Sequence, residues 1–208
     1  MKRNRCLSLL GLSVLALSLF PQVGKAFEDN NPTQQGGEIW RNGSFPVENF
    51  QGYTSAFGYR SSPTGGYTRE FHSGLDFAAP VGSYIRGWWN GRVVEVSDNT
   101  ACGTSIRVQS GSWIHVYCHM MGYVGRDGQG RFMTDGESGL KIYEGQSLQA
   151  GQRIGRVGMT GRTTGPHLHW TLKYQGKLVD PAVVLQAMYT AQRQPGYLSS
   201  SSQPVQPQ

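Results

Sequence analysis

The segment SWIHVYCHM, residues 112–120, constrains the fold more than any other stretch, because ring-bearing side chains alternate in it with aliphatic or sulfur-containing ones. Successive side chains of a β-strand point to opposite faces, so a period of two predicts a strand. One predicted face carries Trp113, His115, Tyr117 and His119, and the other carries Ile114, Val116, Cys118 and Met120. Such a strand must bury one face against a core.

Other segments predict the same architecture. GRVVEVSD, TSIRVQS and HLHWTLKY are short runs rich in β-branched and aromatic residues, and turn residues end them. Glycine accounts for 29 of the 208 residues, about twice the background of roughly 7%. A helix is predicted only in DPAVVLQAMYTAQ, where Pro181 fits the first helical position after Asp180. The sequence therefore predicts an all-β protein with one short C-terminal helix.

Residues 1–26 are predicted to be a signal peptide. The basic start MKRNR precedes an uncharged apolar run, and Gly24 and Ala26 supply small residues where a signal peptidase cleaves. The alternative is a membrane anchor, but the run is shorter than the ~20 residues that a spanning helix needs. We expect cleavage after Ala26, export to the periplasm or the medium, and no membrane span in the mature chain.

Export changes the charge balance. The formal net charge of +6 includes four basic residues of the signal peptide, so fifteen basic residues face thirteen acidic ones in the mature chain, a net charge of +2. That small excess gives little support to nucleic-acid binding.

Composition divides the mature chain into three parts. Residues 27–45 are polar and form a predicted N-terminal arm, with Trp40 as the candidate anchor, and residues 189–208 are a predicted disordered tail. Residues 46–188 form the predicted folded domain. Within it, residues 122–139 are a glycine-rich loop or hairpin, and the sequence leaves open whether they line a groove or lie on the surface.

Two cysteines, Cys102 and Cys118, remain after the loss of Cys6. They flank two predicted strands joined by the turn SGS, and a hairpin brings its two ends together. In an oxidising compartment this predicts a disulfide, the alternative being two buried free thiols.

Four of the five histidines, together with one acid, lie in three short motifs: His72 and Asp76 in HSGLD, His119 in YCHM, and His167 and His169 in HLH. Any one of these motifs alone is weak. Hydrolytic zinc sites use three protein ligands from His, Asp or Glu and keep a fourth position for water. The set therefore supplies three candidate ligands and two further histidines.

These motifs belong to a longer series of blocks that resembles the lysostaphin-type, LytM-like zinc metallopeptidases. The blocks are FGYRSSP, FHSGLDFAAPVGSYI, GRVVEV, YCHM, YEGQSLQAGQRIGRVGMTGRTTGPHLHWTL and VDPAVVL. They occur in the family's order over residues 46–186, interrupted mainly at 122–139. The resemblance implies antiparallel β-sheets that form an open groove, one zinc ion per chain, and cleavage of peptide cross-links in bacterial cell walls.

The resemblance also implies roles for the motif residues. His72, Asp76 and His169 fall at the positions of the zinc ligands, and His119 and His167 at the positions of the two catalytic histidines. Zinc lowers the pKa of its water towards 7, one neutral imidazole accepts the proton, and the other stabilises the oxyanion. Which histidine is the base stays open; the working assignment gives that role to His167 and the oxyanion to His119.

Two function classes remain. The chain is predicted to be a zinc metalloendopeptidase that hydrolyses peptidoglycan, of either the D,D-endopeptidase or the glycyl-glycine type. The alternative is a non-catalytic peptidoglycan-binding protein that regulates other cell-wall hydrolases. Such a regulator would normally have lost some of the metal ligands, and all of them are present here. A zinc carrier would need neither His119 nor His167. We expect His115 to be a structural or a surface residue, and no strong inhibition by the arm. Trp88 and Trp89 are expected either to pack, one in the core and one at its edge, or to stack against a ligand; the oligomeric state stays open.

Overall fold

The computed structural model describes residues 39–62 and 68–193. The predicted signal peptide, residues 27–38 of the arm and residues 194–208 of the tail lie outside the described residues. All described residues belong to one compact unit of the chain. No helix within the described ranges is long and apolar enough to cross a membrane.

Strands dominate the described chain, as the sequence predicts. A 3-10 helix spans Ile39–Asn42, and one α-helix, α1, spans Pro181–Arg193. The strands are β1 (Gly52–Ser55), β2 (Gly58–Ser61), β3 (Arg69–His72), β4 (Leu75–Ala78), β5 (Tyr84–Arg86), β6 (Gly91–Ser97), β7 (Ser105–Ser110), β8 (Trp113–Cys118), β9 (Tyr123–Asp127), β10 (Gly130–Asp135), β11 (Leu140–Tyr143), β12 (Ser147–Leu148), β13 (Arg153–Arg156), β14 (His167–Tyr174) and β15 (Lys177–Val179).

The principal sheet has the strand order β1-β4-β14-β8-β7-β6-β12, and β15 also pairs with β14. Its pairs are antiparallel, which confirms the predicted fold class. Three small sheets accompany it: β11-β10-β9, β13-β5 and β2-β3. β7 and β8 form the predicted hairpin, in which Ser110 pairs with Trp113 across the turn.

The two faces of β14 set the layout of the molecule. Leu168, Trp170 and Leu172 are fully buried, and burial of a large apolar side chain contributes about 1.5–3 kcal/mol. The alternate side chains of β14 point to the other side, which we call the groove face. Its members on β14 are His167, His169, Thr171 and Lys173.

The predicted faces of β8 require a correction at His119. The strand ends at Cys118, and His119 has a φ of +58°, a left-handed conformation that is uncommon outside glycine. His115 and Tyr117 point into the core, as one alternating face requires. The positive φ turns His119 away from that face, so it lies in the groove and does not share a face with His115.

Trp40 of the predicted N-terminal arm packs on the domain through an aromatic cluster. Trp40 contacts Trp88, Trp89 and Trp113 with ring-centroid distances of 6.1, 6.2 and 5.9 Å. Trp88 is 1% exposed and neither Trp88 nor Trp89 lines the groove, so their packing is structural. Gln192 of α1, beyond the predicted end of the domain at residue 188, donates from its amide to the Gly43 carbonyl at 2.7 Å.

Residues 122–139 form the β9–β10 hairpin, and β11 adds a third strand to it. The buried Asp135 anchors this sheet because its carboxylate accepts two hydrogen bonds from Arg156 of β13, at 2.5 and 2.8 Å. No residue of 122–139 lines the groove, so this segment is a surface excursion.

Candidate active site

A groove of about 650 Å³ crosses the principal sheet, and it holds the five residues that the sequence motifs single out. Its lining comprises Thr54, Ser55, Arg60, Ser61, Glu70, Phe71, His72, Ser73, Asp76, Ala101, Cys102, Arg107, Val116, Cys118, His119, Arg162, Thr163, Thr164, His167, His169, Thr171, Lys173 and Leu178.

Three donor atoms converge at the centre of the groove. His72 Nε2 lies 3.0 Å from Asp76 Oδ1 and 2.9 Å from His169 Nδ1, and His169 Nδ1 lies 2.8 Å from Asp76 Oδ1. Within the described chain these residues are the group of three whose atoms are placed to hold a metal ion.

Strand register brings the three residues together across 97 positions of sequence. Asp76 of β4 pairs with His169 of β14, and a short turn places His72, at the end of β3, four residues before Asp76. The turn needs glycine at Gly74, because a Cβ there would lie 2.5 Å from the Trp170 carbonyl oxygen and 2.8 Å from the His169 ring.

Outer contacts fix how the donors face one another. His72 Nδ1 lies 2.7 Å from the Ala56 carbonyl oxygen, which can only accept, so the ring proton is on Nδ1 and Nε2 presents a lone pair. His169 Nε2 lies 3.0 Å from the Thr171 hydroxyl, which holds the ring with Nδ1 turned towards Asp76 and His72. Arg60 donates to the second Asp76 oxygen, Oδ2, at 3.3 Å.

Electrostatics keep Asp76 ionised. Burial raises its pKa, but the neighbouring His169 and His72 outweigh burial and hold the pKa well below its usual value. Burial also lowers the pKa of His169, which favours its neutral, ligating form.

The donor set fits a zinc ion. Two imidazole nitrogens and one carboxylate oxygen are zinc ligands, and each has an outer partner of the kind that orients ligands in metal sites. In the tautomer set by Ala56, the Nε2 lone pair of His72 lies 3.0 Å from the Asp76 carboxylate with no His72 proton between them, an arrangement that a bound cation stabilises. The groove leaves room beside them for a fourth ligand.

His119 and His167 stand beside this cluster, with their ring centroids 4.7 Å apart. His119 Nδ1 donates to the Thr160 carbonyl at 2.8 Å, and His167 Nδ1 donates to the Gly165 carbonyl at 2.9 Å. Whenever either ring is neutral, its Nε2 therefore carries the lone pair. Burial lowers the pKa of His119 to about 4, so this ring is neutral at pH 7.

A loop at Ala101–Thr104 holds both histidine-bearing segments. The Cys102 carbonyl accepts from the His119 backbone N–H at 2.8 Å, and the Ala101 carbonyl accepts from the Arg162 N–H at 2.8 Å. A disulfide joins Cys102 to Cys118 at the end of β8. At Gly161, with a φ of +74°, a Cβ would lie 2.4 Å from the backbone of this loop, so the close approach requires glycine.

The structure thus brings together the five predicted site residues and leaves His115 outside. His115 is fully buried and bonds Ser110 Oγ at 2.9 Å and Tyr117 Oη at 2.7 Å, as a structural residue does. Sequence reasoning missed Arg60, although its block FGYRSSP is part of the resemblance. Arg60 also pairs with Glu70 at 3.1 Å, a contact between adjacent strands that no sequence spacing announces.

Antiparallel sheets with a two-histidine, one-aspartate cluster in an open groove, flanked by two further histidines, define a metallohydrolase of the β-sheet type. The comparisons with known proteins name the family. Peptidase family M23 matches residues 70–138 and 133–181, together more than half of the chain. The chain belongs to peptidase family M23, which confirms the resemblance.

Similar proteins agree with this assignment. The DD-carboxypeptidase/endopeptidase Mpg of Neisseria meningitidis is 27% identical over 73% of this chain and 31% of its own length. A crystal structure of a zinc-containing peptidase from Vibrio cholerae is 28% identical over 71% of this chain and 40% of its own, with a TM-score of 0.53. Lysostaphin from Staphylococcus simulans, 20% identical over 79% of this chain and 60% of its own, shares the fold with a TM-score of 0.54. The chain spans about a third of the length of the curated relative Mpg.

Proposed function

We propose that this chain is an exported, zinc-dependent endopeptidase that hydrolyses peptide cross-links of bacterial peptidoglycan. The observation that supports this most is the convergence of His72, Asp76 and His169 beside the rings of His119 and His167. Membership of family M23 supports a peptidase. The predicted signal peptide supports action outside the cytoplasm, where peptidoglycan lies.

In this proposal His72 Nε2, Asp76 Oδ1 and His169 Nδ1 hold the zinc ion. When bound, zinc supplies a water molecule of lowered pKa and a Lewis acid for the peptide carbonyl. Arg60 and Thr171 keep the ligands oriented through their contacts with Asp76 and His169.

The two remaining histidines handle the proton. Because Thr160 fixes the tautomer of His119, its Nε2 carries the lone pair that can accept a proton. After accepting it, the same ring is a cation that can donate to the leaving amine. We therefore propose His119 and His167 as the pair that handles the proton: the ring with a free Nε2 lone pair accepts it from the water, and a ring that carries a proton on Nε2 donates to the charged carbonyl oxygen or to the leaving amine.

We propose a D,D-endopeptidase specificity. The name of the relative Mpg supports it, because that protein is a DD-carboxypeptidase and endopeptidase. The other predicted possibility is the glycyl-glycine type, whose substrate is a bridge of glycine residues without side chains. Such a bridge offers no charged group to the charged side chains of this groove.

The test is cleavage of purified peptidoglycan by the mature chain. Zinc-loaded protein would be incubated with cross-linked peptidoglycan of the direct D,D type and of the glycine-bridged type, with and without a chelator, and fragments identified by mass spectrometry. We expect chelator-sensitive cleavage of the direct cross-link. His169→Ala should abolish it.

Three outcomes would contradict the proposal. Cleavage of the glycine bridge alone would reassign the bond, and cleavage that survives both the chelator and His169→Ala would exclude the metal cluster. Binding to peptidoglycan without cleavage by folded, zinc-loaded protein would favour the regulatory alternative.

A further inference from the structure

The groove continues beyond the metal cluster along β14. On this strand the even-numbered residues Leu168, Trp170 and Leu172 are buried, so Lys173 shares the groove face with His169. Four residues of extended strand separate Lys173 from His169, about 13 Å. That distance is several residues along an extended peptide from the bond that meets the cluster.

Lys173 stands next to apolar side chains of the groove. Leu178 of β15 pairs beside it and is 38% exposed. Val116 of β8 pairs with Thr171, which lies two residues nearer to the metal cluster than Lys173 along β14. On its other side Val116 pairs with Arg107 of β7. All of these line the same groove.

The charge of Lys173 is uncompensated, in contrast to the other cations of the groove. Arg60 and Arg162 share the carboxylate of Glu70, at 3.1 and 3.0 Å. Arg107 pairs with Glu95 at 3.3 Å. Among the ion pairs of the described residues Lys173 has none, so its ammonium group faces the groove without an anion.

We propose that Lys173, Val116 and Leu178 form a subsite for a free carboxylate of a stem peptide, next to a small apolar side chain. An ammonium group offers three donors to a carboxylate, and such charge-assisted hydrogen bonds are stronger than neutral ones. Val116 and Leu178 cover a methyl-sized group. This inference rests on the proposed function, because it names the part of the substrate that lies away from the bond to be cleaved.

A free carboxylate in peptidoglycan comes from the C-terminus of a stem or from a side chain within it. A bridge made of glycine residues alone carries no charge that Lys173 would recognise. The subsite therefore predicts a preference for stem peptides over uncharged glycine bridges, set by a residue remote from the metal.

The test measures affinity without requiring turnover. A synthetic, un-cross-linked stem peptide would be prepared as the free acid, the C-terminal amide, the side-chain amide and the double amide, and its binding to the zinc-loaded full chain measured by calorimetry. We expect the free acid to bind about tenfold more tightly than the double amide, as one charge-assisted contact predicts. The two single amides identify which carboxylate Lys173 binds.

The matched variants are Lys173→Met and Lys177→Met. Lys177 carries the same charge on the adjacent β15 but does not line the groove. Lys173→Met should bind the free acid about tenfold more weakly and lose the difference between acid and amide, whereas Lys177→Met should keep both. Added sodium chloride should weaken binding of the free acid to the wild type and leave binding of the double amide unchanged.

The inference is overturned if acid and amide bind the wild type equally, if neither binds, or if Lys173→Met keeps the difference. Failure of the proposed function gives a different result. Cross-linked peptidoglycan then stays uncleaved, while the free acid still binds more tightly than the double amide.

Discussion

His119 shows how one backbone angle at a single residue decides the site. Alternation along β8 places residue 119 with His115 and Tyr117, on the face that the structure buries. A φ of +58° turns it into the groove, and this angle depends on hydrogen bonds to Cys102 and Gly158, which are distant in sequence. Motif content therefore predicts that His119 matters, but periodicity predicts the wrong direction for its side chain.

The roles of the two flanking histidines can be separated from metal binding. His119→Ala and His167→Ala should each lower kcat about 10²- to 10⁴-fold, the usual contribution of a positioned acid–base group. Neither contributes a donor atom to the metal cluster, so zinc content, measured by atomic absorption, should stay at one per chain. His169→Ala should lose both zinc and activity. A flanking variant that keeps kcat within a few-fold would remove that histidine from the mechanism.

Buried His115 predicts a loss of stability in acid. Burial lowers its pKa in the folded protein to about 3, whereas the unfolded chain has a value near 6.5. Below pH 6.5 the unfolded state therefore binds a proton that the folded state does not, and the free energy of unfolding falls as the pH falls. Between pH 7.5 and 4.5 this single group should cost about 2–3 kcal/mol.

The measurement is urea unfolding of zinc-free protein at both pH values. His115→Gln should unfold more readily at pH 7.5 but lose less stability on acidification, since its amide does not titrate. Equal losses in the wild type and the variant would contradict the prediction.

At the scale of elements, sequence patterns predicted the strands whose sides differ in polarity. The β14 pattern HLHWTLKY and the β7–β8 hairpin occur as predicted, because alternation and turn residues are local properties. The pairing of β11 with β10 was missed, since KIY is a short run and only contact with the β9–β10 hairpin makes it a strand. The Arg60–Glu70–Arg162 contacts were missed for the same reason: register and loop packing bring them together.

The loop 101–104 couples the stability of the domain to the position of a catalytic histidine. Its disulfide closes a segment with a sequence separation of 16, and a bridge over a loop of that length contributes about 3 kcal/mol. The same loop accepts hydrogen bonds from His119 and Arg162. The double variant Cys102→Ser, Cys118→Ser should therefore lower the free energy of unfolding by about that amount and lower kcat with zinc content unchanged.

Reductant separates this effect from the substitutions themselves. It should lower kcat of the wild type towards that of the double variant and leave the variant unchanged. If kcat of the folded double variant equals that of the wild type, the disulfide serves stability alone.

For the whole molecule, the family resemblance located the cluster, and strand register explains why it exists. His72, Asp76 and His169 come from β3, β4 and β14, so a bound zinc ion links strands that lie far apart in sequence. A ligand that binds only the folded state stabilises it by RT ln(1 + [L]/Kd), about 4 kcal/mol when the ligand exceeds Kd a thousandfold. Zinc should therefore fasten the β2-β3 sheet, which carries His72, to the principal sheet as well as serve catalysis.

Thermal unfolding of the mature chain with and without zinc tests this coupling. In a domain of this size about 4 kcal/mol corresponds to a rise in Tm of roughly 10 °C. Magnesium, which prefers oxygen ligands, should not reproduce the rise. His169→Ala should unfold at the same temperature with and without zinc, because one of the three donor atoms is gone. A Tm of the wild type that does not respond to zinc would mean that the cluster binds the metal weakly or not at all, and the proposed chemistry would then lose its cofactor.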